Sequence, residues 1–222
     1  MDMKELLAKC DHTLLKPNAT WNDIKKLCDE GMDNGCATVC IPASYVRQVA
    51  DYLRYKDTKL RICTVVGFPN GYSTTPVKVF ETEDAVANGA DEIDMVINIG
   101  WLKDKRYDDI LNEIKEIKKV CRGRVLKVIV ETCLLTDDEK ITISKIVTDS
   151  GAEFIKTSTG FSKTGATPSD VAILKANVGK KVKVKAAGGI TSLEDADLFM
   201  KLGASRLGTS KIVALFKQLN GK

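Results

Sequence analysis

The feature that most constrains the fold of this chain is a regular alternation between short β-branched runs and longer segments of helical periodicity. The β-branched runs predict eight strands, at residues 11–15, 38–41, 60–66, 92–98, 125–131, 153–157, 182–186 and 205–207. The helical segments predict eight helices, at residues 22–34, 44–53, 76–88, 107–120, 137–150, 169–176, 193–202 and 211–219. Thr136, Thr167 and Thr191 precede three of these helices and are predicted to cap them.

Eight strand–helix units in 222 residues allow about 28 residues per unit, the size of a minimal (β/α)8 barrel. A doubly wound open sheet is the alternative, but the glycine-rich fingerprint that usually follows its first strand is absent here. No linker of different composition divides the chain. We therefore predict an α/β fold, a single (β/α)8 TIM barrel that forms one catalytic domain over residues 1–222. In such barrels the functional side chains lie at the C-terminal ends of the strands.

Composition excludes several classes of partner. The formal net charge is +4, from 34 basic and 30 acidic residues whose signs alternate along the chain, so we predict no nucleic-acid or membrane partner. No apolar stretch approaches the ~18 residues of a transmembrane helix, and no apolar export segment follows the N-terminus. Seven cysteines without a Cys-x-x-Cys pair are typical of a reduced interior, so we expect a cytoplasmic protein.

The single histidine, His12, restricts the available chemistry. Most zinc sites and most Ser-His-Asp or Cys-His arrangements need an imidazole, so a histidine-rich metal centre is excluded and no metal is expected. Alternation along the first strand directs His12 away from the side of Asp11, which predicts either a residue that supports the site from behind or a packed histidine. A small anionic ligand remains compatible with the modest positive charge.

Lysines occupy positions where the predicted strands face the barrel interior. Lys156 lies near the C-terminal end of the sixth strand, and alternation in the seventh strand directs Lys185 to the side opposite Val184. In the same way Lys127 faces inward from the fifth strand and Asp94 from the fourth. Buried ammonium groups are costly unless they are paired or used in chemistry. The pattern therefore predicts either a structural Lys–Asp network or a reactive lysine centre.

A reactive centre is chemically favourable because the sixth and seventh strands are predicted neighbours, with backbones about 5 Å apart. Two ammonium groups at that range disfavour double protonation, and the pKa of one lysine is then expected to fall from ~10.4 toward neutrality. A neutral amine is the nucleophile of a Schiff-base mechanism, and Asp94 is placed to move protons.

Glycine-rich turns follow the last three predicted strands. They are Ser-Thr-Gly-Phe at 158–161, Gly188-Gly189, and Gly-Thr-Ser at 208–210, the last of which leads into a helix. Backbone N–H groups, hydroxyls and a helix N-terminus at this rim are the usual means by which a (β/α)8 barrel holds phosphate. Each turn alone is also explained as a tight turn. Their shared position favours an anion site.

Five motifs, in order and at compatible spacings, resemble those of the deoxyribose-phosphate aldolase family, whose members are class I aldolases. They are Asp-His-Thr-Leu-Leu-Lys-Pro at 11–17, Val-Val-Gly-Phe-Pro-Asn-Gly at 65–71, Gly-Ala-Asp-Glu-Ile-Asp-Met-Val at 89–96, Phe-Ile-Lys-Thr-Ser-Thr-Gly at 154–160 and Val-Lys-Ala-Ala-Gly-Gly-Ile at 184–190. The resemblance extends from about Asp11 to about Ser210. Any one motif is weakly specific, whereas the five together are highly specific.

The resemblance implies a reaction and its catalytic residues. The reaction is the reversible cleavage of 2-deoxy-D-ribose 5-phosphate to D-glyceraldehyde 3-phosphate and acetaldehyde, in deoxyribonucleoside breakdown. Lys156 is expected to carry the Schiff base, Lys185 to tune its pKa, and Asp94 to donate and accept protons. The iminium ion is the electron sink, so the resemblance implies no metal and no cofactor beyond the covalent Schiff base.

The resemblance also implies further site residues. Asp11 and Thr13 are expected to give polar support, and Leu15 an apolar wall. Lys127 is expected to act electrostatically. Cys40 is expected close to the site, either as a thiol that aldehydes modify or as a packed side chain. The remaining substrate-binding residues are expected to be Thr157, Gly160, Gly188, Gly189, Gly208 and Ser210.

The chain departs from the family pattern at the phosphate end. Phe161 stands where some members have lysine, so Lys163 or Lys211 is the candidate to supply positive charge to the phosphate. The chain end at 220–222 lacks the tyrosine-bearing tail of some members, which predicts looser closure of the site.

Two other functions stay open at this point: another lysine-dependent phosphosugar aldolase or transaldolase, and a phosphosugar-binding barrel without catalysis. The expected partners are small phosphorylated sugars and aldehydes. Exposed apolar helix faces are common in barrels that associate, so a homodimer and a homotetramer are both compatible with the sequence.

Overall fold

The computed structural model describes residues 2–219, and its central feature is a closed barrel of parallel strands. Neighbouring strands follow one another in sequence order, and the last strand pairs with the first. This arrangement confirms the predicted (β/α)8 fold. The strands are β1 (Cys10–Thr13), β2 (Thr38–Ile41), β3 (Arg61–Val66), β4 (Glu92–Val96), β5 (Val125–Ile129), β6 (Phe154–Lys156), β7 (Lys183–Ala187) and β8 (Ala204–Thr209).

Helices surround the barrel and connect successive strands. They are α1 (Met3–Leu7), α2 (Trp21–Asp33), α3 (Val46–Tyr55), α4 (Thr75–Asn88), α5 (Ile99–Lys103), α6 (Tyr107–Val120), α7 (Asp137–Ser150), α8 (Pro168–Asn177), α9 (Leu193–Lys201) and α10 (Ile212–Leu219). The periodicity of the sequence does not predict α1 or α5, because five residues are too few to show a helical repeat. The other helices agree with prediction to within about two residues at each end.

Side-chain caps determine where several helices begin. Thr136 and Thr167 each form a full capping box, as predicted. The prediction for Thr191 is wrong, because Ser192 caps α9 and accepts a hydrogen bond from the Asp195 N–H. The Thr191 hydroxyl instead donates to the Asp195 carboxylate at 3.0 Å. Because that bond occupies the Thr191 hydroxyl, Ser192 is the N-cap and Leu193 is the first residue of α9.

The two faces of each strand differ in polarity. In β4, Ile93 and Met95 belong to the apolar layer beneath the helices, while Asp94 between them points into the barrel. In β7, Lys185 points inward between two apolar neighbours. The prediction of inward-facing charge from strand alternation is confirmed for both residues.

Strand register brings the inward-facing charges side by side. Lys156 lies directly beside Lys185 in the β6–β7 pair, and Asp94 lies directly beside Lys127 in the β4–β5 pair. Because the strands are parallel, these pairs sit at similar heights along the barrel axis. The barrel therefore carries its charged residues as a layer in its interior.

The structure also bears on the expectations about membrane helices, cysteines and the ends of the chain. No helix within residues 2–219 combines the length and the apolar character that crossing a bilayer requires. The cysteines are free thiols, at Cys10, Cys28, Cys36, Cys40, Cys63, Cys121 and Cys133. The expected domain over 1–222 and the expected loose closure at 220–222 involve positions outside the described residues, so both stay predictions, as does the cytoplasmic location.

Gly71 lies in the connection between β3 and α4 and packs against the chain just after β4. Its backbone has φ +75°, and an added Cβ would lie 1.9 Å from the carbonyl oxygen of Ile97. Gly71→Ala is therefore expected to lower the free energy of unfolding by about 3 kcal/mol or more, because backbone strain and a backbone clash act together. Urea unfolding near neutral pH measures the loss.

Gly123→Ala is the matched control. Gly123 also has a positive φ, +83°, but nothing lies within 4 Å of its added Cβ. The substitution is expected to cost about 1 kcal/mol from backbone strain alone. Equal losses in the two variants would contradict a clash at Ile97.

Candidate active site

The floor of the candidate site is a carboxylate that binds three lysines of the described chain. Asp94 Oδ1 accepts a hydrogen bond from Lys127 Nζ at 2.8 Å. Asp94 Oδ2 accepts from both Lys156 Nζ and Lys185 Nζ, at 2.7 Å each. All four side chains are buried. The structure therefore brings together the three residues that the sequence predicts to be catalytic, with Lys127 beside them.

Asp11 is a second acceptor in the same network. One oxygen of its carboxylate accepts from Lys185, and the other accepts from Arg206 at 2.6 Å and Thr38 at 2.8 Å. Asp11 is fully buried, and its contacts place it against Lys185 rather than among the residues that line the site cavity. Asp11 therefore orients Lys185, and its expected contact with a substrate stays a prediction.

Glu92 and Arg206 extend the network toward the N-terminal end of the barrel, and sequence reasoning missed both. Glu92 pairs with Lys127 at 2.7 Å and with Arg206 at 3.2 Å. A signal was available, because Glu92 lies two residues before Asp94 and alternation places the two on one face. Paired charges thus occupy space that bulky apolar side chains fill in most barrels of this type.

The network determines the charge of its members. Burial by itself raises the pKa of Asp94, but the lysines that bind it outweigh burial and hold that pKa well below its usual value. Burial lowers the pKa of Lys185, but the carboxylates of Asp11 and Asp94 outweigh burial and raise it. Lys185 therefore stays an ammonium group at neutral pH, so it is not the lysine expected to become a free amine.

Thiols of β2 and β3 contact the same carboxylate. Cys63 Sγ lies 3.2 Å from Asp94 Oδ1 and accepts a hydrogen bond from Lys127 Nζ, also at 3.2 Å. Cys40 is the register partner of Cys63, and its hydrogen bond with Cys63 lowers the pKa of Cys40. Cys40 is fully buried and does not line the cavity. Its position matches the expected packed side chain, while reactivity toward aldehydes stays a prediction.

The donor set around Asp94 fits an ion-pair network better than a metal site. Among the described residues, Cys40, Cys63 and Asp94 offer ligand atoms within 4.8 Å of one another. However, Asp94 already binds three ammonium groups of that part of the chain. A divalent cation there would face strong repulsion from those charges.

A cavity of about 460 Å³ opens at the C-terminal ends of the strands. Lys156 lines this cavity, whereas Lys127 and Lys185 lie beneath it. The other expected site residues that line the cavity are Thr13, Leu15, Gly160, Gly188, Gly189, Gly208 and Ser210. A volume of this size suits a small ligand.

Thr157 does not reach the cavity. Its hydroxyl donates to the Ala187 carbonyl at 3.3 Å and accepts from the Ala187 N–H at 3.1 Å, which ties the ends of β6 and β7 together. Alternation explains this, because Lys156 faces inward and the next side chain does not. The expected contact of Thr157 with a substrate stays a prediction.

Exposed lysines stand at the rim of the cavity. Lys211 lines it, just beyond the turn at 208–210, and Lys163 does not. Lys16 also lines the cavity, and sequence reasoning missed it although it directly follows Leu15. Lys16 and Lys211 therefore place positive charge near the glycine-rich turns.

Close packing between two loops shapes the glycine-rich wall. An added Cβ on Gly165 would lie 2.1 Å from the carbonyl carbon of Gly188. Next to it, the Ala166 N–H donates to the carbonyl oxygens of Ala187 and Gly188, at 3.1 and 3.2 Å. The loop after β6 thereby holds the turn after β7, a contact for which strand and helix periodicity give no signal.

Known proteins of similar sequence are aldolases. The profile of the family described as "DeoC/LacD family aldolase" matches residues 6–207. A deoxyribose-phosphate aldolase of Clostridioides difficile is 56% identical over 215 residues, which are 97% of this chain and 97% of that protein. One from Streptococcus pyogenes is 56% identical over 217 residues, which are 98% of this chain and 96% of that protein.

Solved structures support the same relationship. The tetrameric deoxyribose phosphate aldolase from Aeropyrum pernix is 31% identical, with a TM-score of 0.90 over 98% of this chain and 93% of that one. A structure described as "QR15, an Aldolase" is 35% identical, with a TM-score of 0.92 over 97% of this chain and 96% of that one. Orotidine 5'-phosphate decarboxylase from Pyrococcus horikoshii, 11% identical with a TM-score of 0.64, shares the fold alone.

The acid sensitivity of the fold follows from the low pKa values of Asp94 and Asp11. Both native pKa values lie below the unfolded value of ~3.9, so the stabilisation is complete above that pH and is lost as the pH falls below it. The free energy of unfolding is expected to fall as the pH drops below about 4, by up to about 1.4 kcal/mol per pH unit for each proton taken up. Urea unfolding at several pH values measures the slope.

Asp94→Asn removes one of these carboxylates and leaves buried lysines without it. We expect a loss of about 3 kcal/mol near neutral pH and a shallower acid slope. Asp33→Asn, at the exposed end of α2, is the matched control and is expected to keep the wild-type slope. Wild-type stability and slope in Asp94→Asn would show that the ion network does not stabilise the barrel.

Proposed function

This chain belongs to the DeoC/LacD family of aldolases, and from that membership we propose that it reversibly cleaves 2-deoxy-D-ribose 5-phosphate to D-glyceraldehyde 3-phosphate and acetaldehyde. The observation that carries the proposal is the position of Lys156, which lines the cavity and shares one oxygen of Asp94 with Lys185. An amine, an ammonium group and a carboxylate at one point are the groups that Schiff-base aldol cleavage needs.

We assign the nucleophile to Lys156 on its pairing as well as on its position. Among the described residues Lys156 pairs with one carboxylate, that of Asp94, whereas Lys127 and Lys185 each pair with more than one. Lys156 is also the lysine of the network that lines the cavity. The Lys156 amine then attacks C1 of the open-chain sugar, water leaves, and an iminium ion forms.

Cleavage of the C2–C3 bond follows when the C3 hydroxyl loses its proton. We assign the transfer to Asp94, through Lys185 and water, because Asp94 contacts both lysines at one oxygen. The bonding electrons pass to the iminium ion and give an enamine, and D-glyceraldehyde 3-phosphate leaves. Protonation of the enamine at C2 and hydrolysis then release acetaldehyde and restore the Lys156 amine. The iminium ion accepts the electron pair of the broken bond, and that pair then forms the new C–H bond at C2, so the proposal includes no metal and no other cofactor.

We assign the phosphate of the substrate to the glycine-rich side of the cavity. The turns at 188–189 and 208–210 lie there, and the second of them leads to the start of α10. Backbone N–H groups and a helix N-terminus favour a bound phosphate. Lys16 and Lys211 add positive charge at the rim, and the carbonyl end of the sugar is then directed toward Lys156.

The wider role is part of the same proposal. Cleavage of deoxyribose phosphate serves the breakdown of deoxyribonucleosides, and free thiols suit a reducing cytoplasm. The partners are small phosphorylated sugars and aldehydes. Assembly as a homodimer or homotetramer is proposed by comparison with the Aeropyrum pernix enzyme, whose structure is described as tetrameric.

Incubation with acetaldehyde and sodium borohydride is expected to leave an ethyl adduct on Lys156. The adduct forms because borohydride reduces the iminium bond between acetaldehyde and the lysine amine. Peptide mapping by mass spectrometry locates it. No adduct, or an adduct confined to another lysine, would refute Lys156 as the nucleophile.

Controls for this experiment separate the alternative functions. Lys156→Ala is expected to lose both the adduct and turnover, and EDTA is expected to leave wild-type turnover unchanged. Use of dihydroxyacetone instead of acetaldehyde as the donor would indicate another lysine-dependent aldolase or a transaldolase. Phosphosugar binding without turnover would indicate a barrel without catalysis.

Substitution of the rim lysines tests the phosphate assignment. Lys16→Met and Lys211→Met are each expected to raise KM for 2-deoxy-D-ribose 5-phosphate about tenfold, which corresponds to losing about 1.4 kcal/mol of charge-assisted binding. Lys163→Met is the matched control, because Lys163 does not line the cavity. Its KM is expected to stay within about twofold of wild type. A larger effect at Lys163 than at the other two lysines would contradict the assignment.

A further inference from the structure

Glu131 follows β5 at the edge of the active site and has an uncommon backbone conformation. Its φ of 54° and ψ of 65° lie in the left-handed region, which favours glycine. That conformation costs about 1 kcal/mol, so neighbouring contacts must hold it in place. The residue is only 3% exposed. Glu131 is therefore a buried acid near the cavity that the proposed reaction does not use.

The Glu131 carboxylate binds Thr159 in the loop after β6. The Thr159 N–H lies 3.3 Å from both carboxylate oxygens, and the Thr159 hydroxyl donates to Oε2. The same hydroxyl accepts a hydrogen bond from the Phe161 N–H at 3.0 Å. Beside Glu131, the Thr132 N–H donates to the Thr157 carbonyl at 2.8 Å. The end of β5 thus holds this loop through both side chain and backbone.

The loop that Glu131 holds forms the wall between Lys156 and the glycine-rich turn. Thr159, Gly160 and Phe161 line the cavity together with Lys156. Gly160 also packs against Gly188, because an added Cβ on Gly188 would lie 3.5 Å from its Cα. A shift of Thr159 would therefore move backbone that borders the proposed phosphate position.

The charge of Glu131 makes the carboxylate and the loop depend on each other. Burial raises the pKa of Glu131, while the hydrogen bonds from Thr159 and the charge of Lys156 act in the opposite direction. Within residues 2–219 the carboxylate forms no salt bridge, so the loop supplies its main hydrogen-bond donors. Loss of either partner would leave a buried polar group without compensation.

We propose that Glu131 is a positioning residue that fixes the loop at 158–161 in the conformation that binds the phosphate end of the substrate. It acts through Thr159 and does not itself line the cavity. The inference rests on the proposed function, because the phosphate position is part of that proposal. It makes the loop geometry a determinant of the preference for phosphorylated over unphosphorylated sugars.

The test compares Glu131→Gln and Thr159→Val with the wild type on two sugars and one ion. The sugars are 2-deoxy-D-ribose 5-phosphate and 2-deoxy-D-ribose, and the ion is inorganic phosphate, whose Kd is measured by calorimetry. Both variants are expected to raise KM for the phosphorylated sugar about tenfold and to weaken phosphate binding by a similar factor, about tenfold. For the unphosphorylated sugar, kcat/KM of Glu131→Gln, whose side chain does not line the cavity, is expected to stay within about twofold of wild type.

Two further variants serve as controls. Glu116→Gln makes the same chemical change on the exposed surface of α6 and is expected to leave all three measurements at wild-type values. Thr159→Ser keeps the hydroxyl that donates to Glu131, so it is expected to lie closer to wild type than Thr159→Val. If Glu131→Gln does not fold, the two Thr159 variants answer the question, since they alter the other partner of the same bond.

Two results would overturn the inference. An equal loss of kcat on both sugars, with phosphate binding unchanged, would show that Glu131 acts on the chemistry. Wild-type KM and phosphate affinity in both variants would show that the loop needs no such support. Failure of the proposed function gives a different result, namely no cleavage of the phosphorylated sugar by the wild type. Calorimetry with inorganic phosphate still tests the role of Glu131 in that case.

Discussion

The cost of placing charge inside a closed barrel governs this structure. An unpaired carboxylate or ammonium group in that interior would be strongly destabilising. Pairing of the buried carboxylates with the buried cations offsets this cost. No buried side-chain nitrogen or oxygen within residues 2–219 lacks a hydrogen-bond partner. The buried pairs join carboxylates from β1 and β4 to cations from β5, β6, β7 and β8. Strand pairing, inward-facing charge and barrel closure therefore depend on one another.

The same network is the reason for the place at which we propose that the chemistry occurs. Replacing buried ion pairs with apolar side chains is often neutral or stabilising, so the role that we propose for this network is chemical rather than stabilising. Among the described residues, Lys156 is the cation of the network that borders the cavity. Deeper in the barrel, Asp11 and Glu92 hold the remaining cations in place. At the rim of the cavity the buried Glu131 carboxylate is also paired, there with the Thr159 N–H of the loop after β6.

Local pattern predicted much of the architecture. Alternation identified the inward-facing Asp94 and Lys185 because their neighbours in the strand are apolar. The same rule applied to Glu92 would have found another member of the network. The pattern predicts the first helical residue of α9 correctly but assigns its N-cap to Thr191, because two adjacent hydroxyl residues both resemble caps and only Ser192 accepts from the Asp195 N–H. Nothing in the strand and helix pattern identified Glu131 as the support of a loop.

The order of strands and helices, and the side of each strand that a residue occupies, follow from local periodicity, and these properties were readable from the amino-acid sequence. Which inward-facing charges meet depends on register and closure. Lys185 in β7 contacts Asp11 in β1, 174 positions away in the chain. The contact forms because β8 pairs with both β7 and β1 and so closes the barrel around the two side chains. Such contacts have no local signature, since their energy arises only after the barrel closes and water leaves its interior.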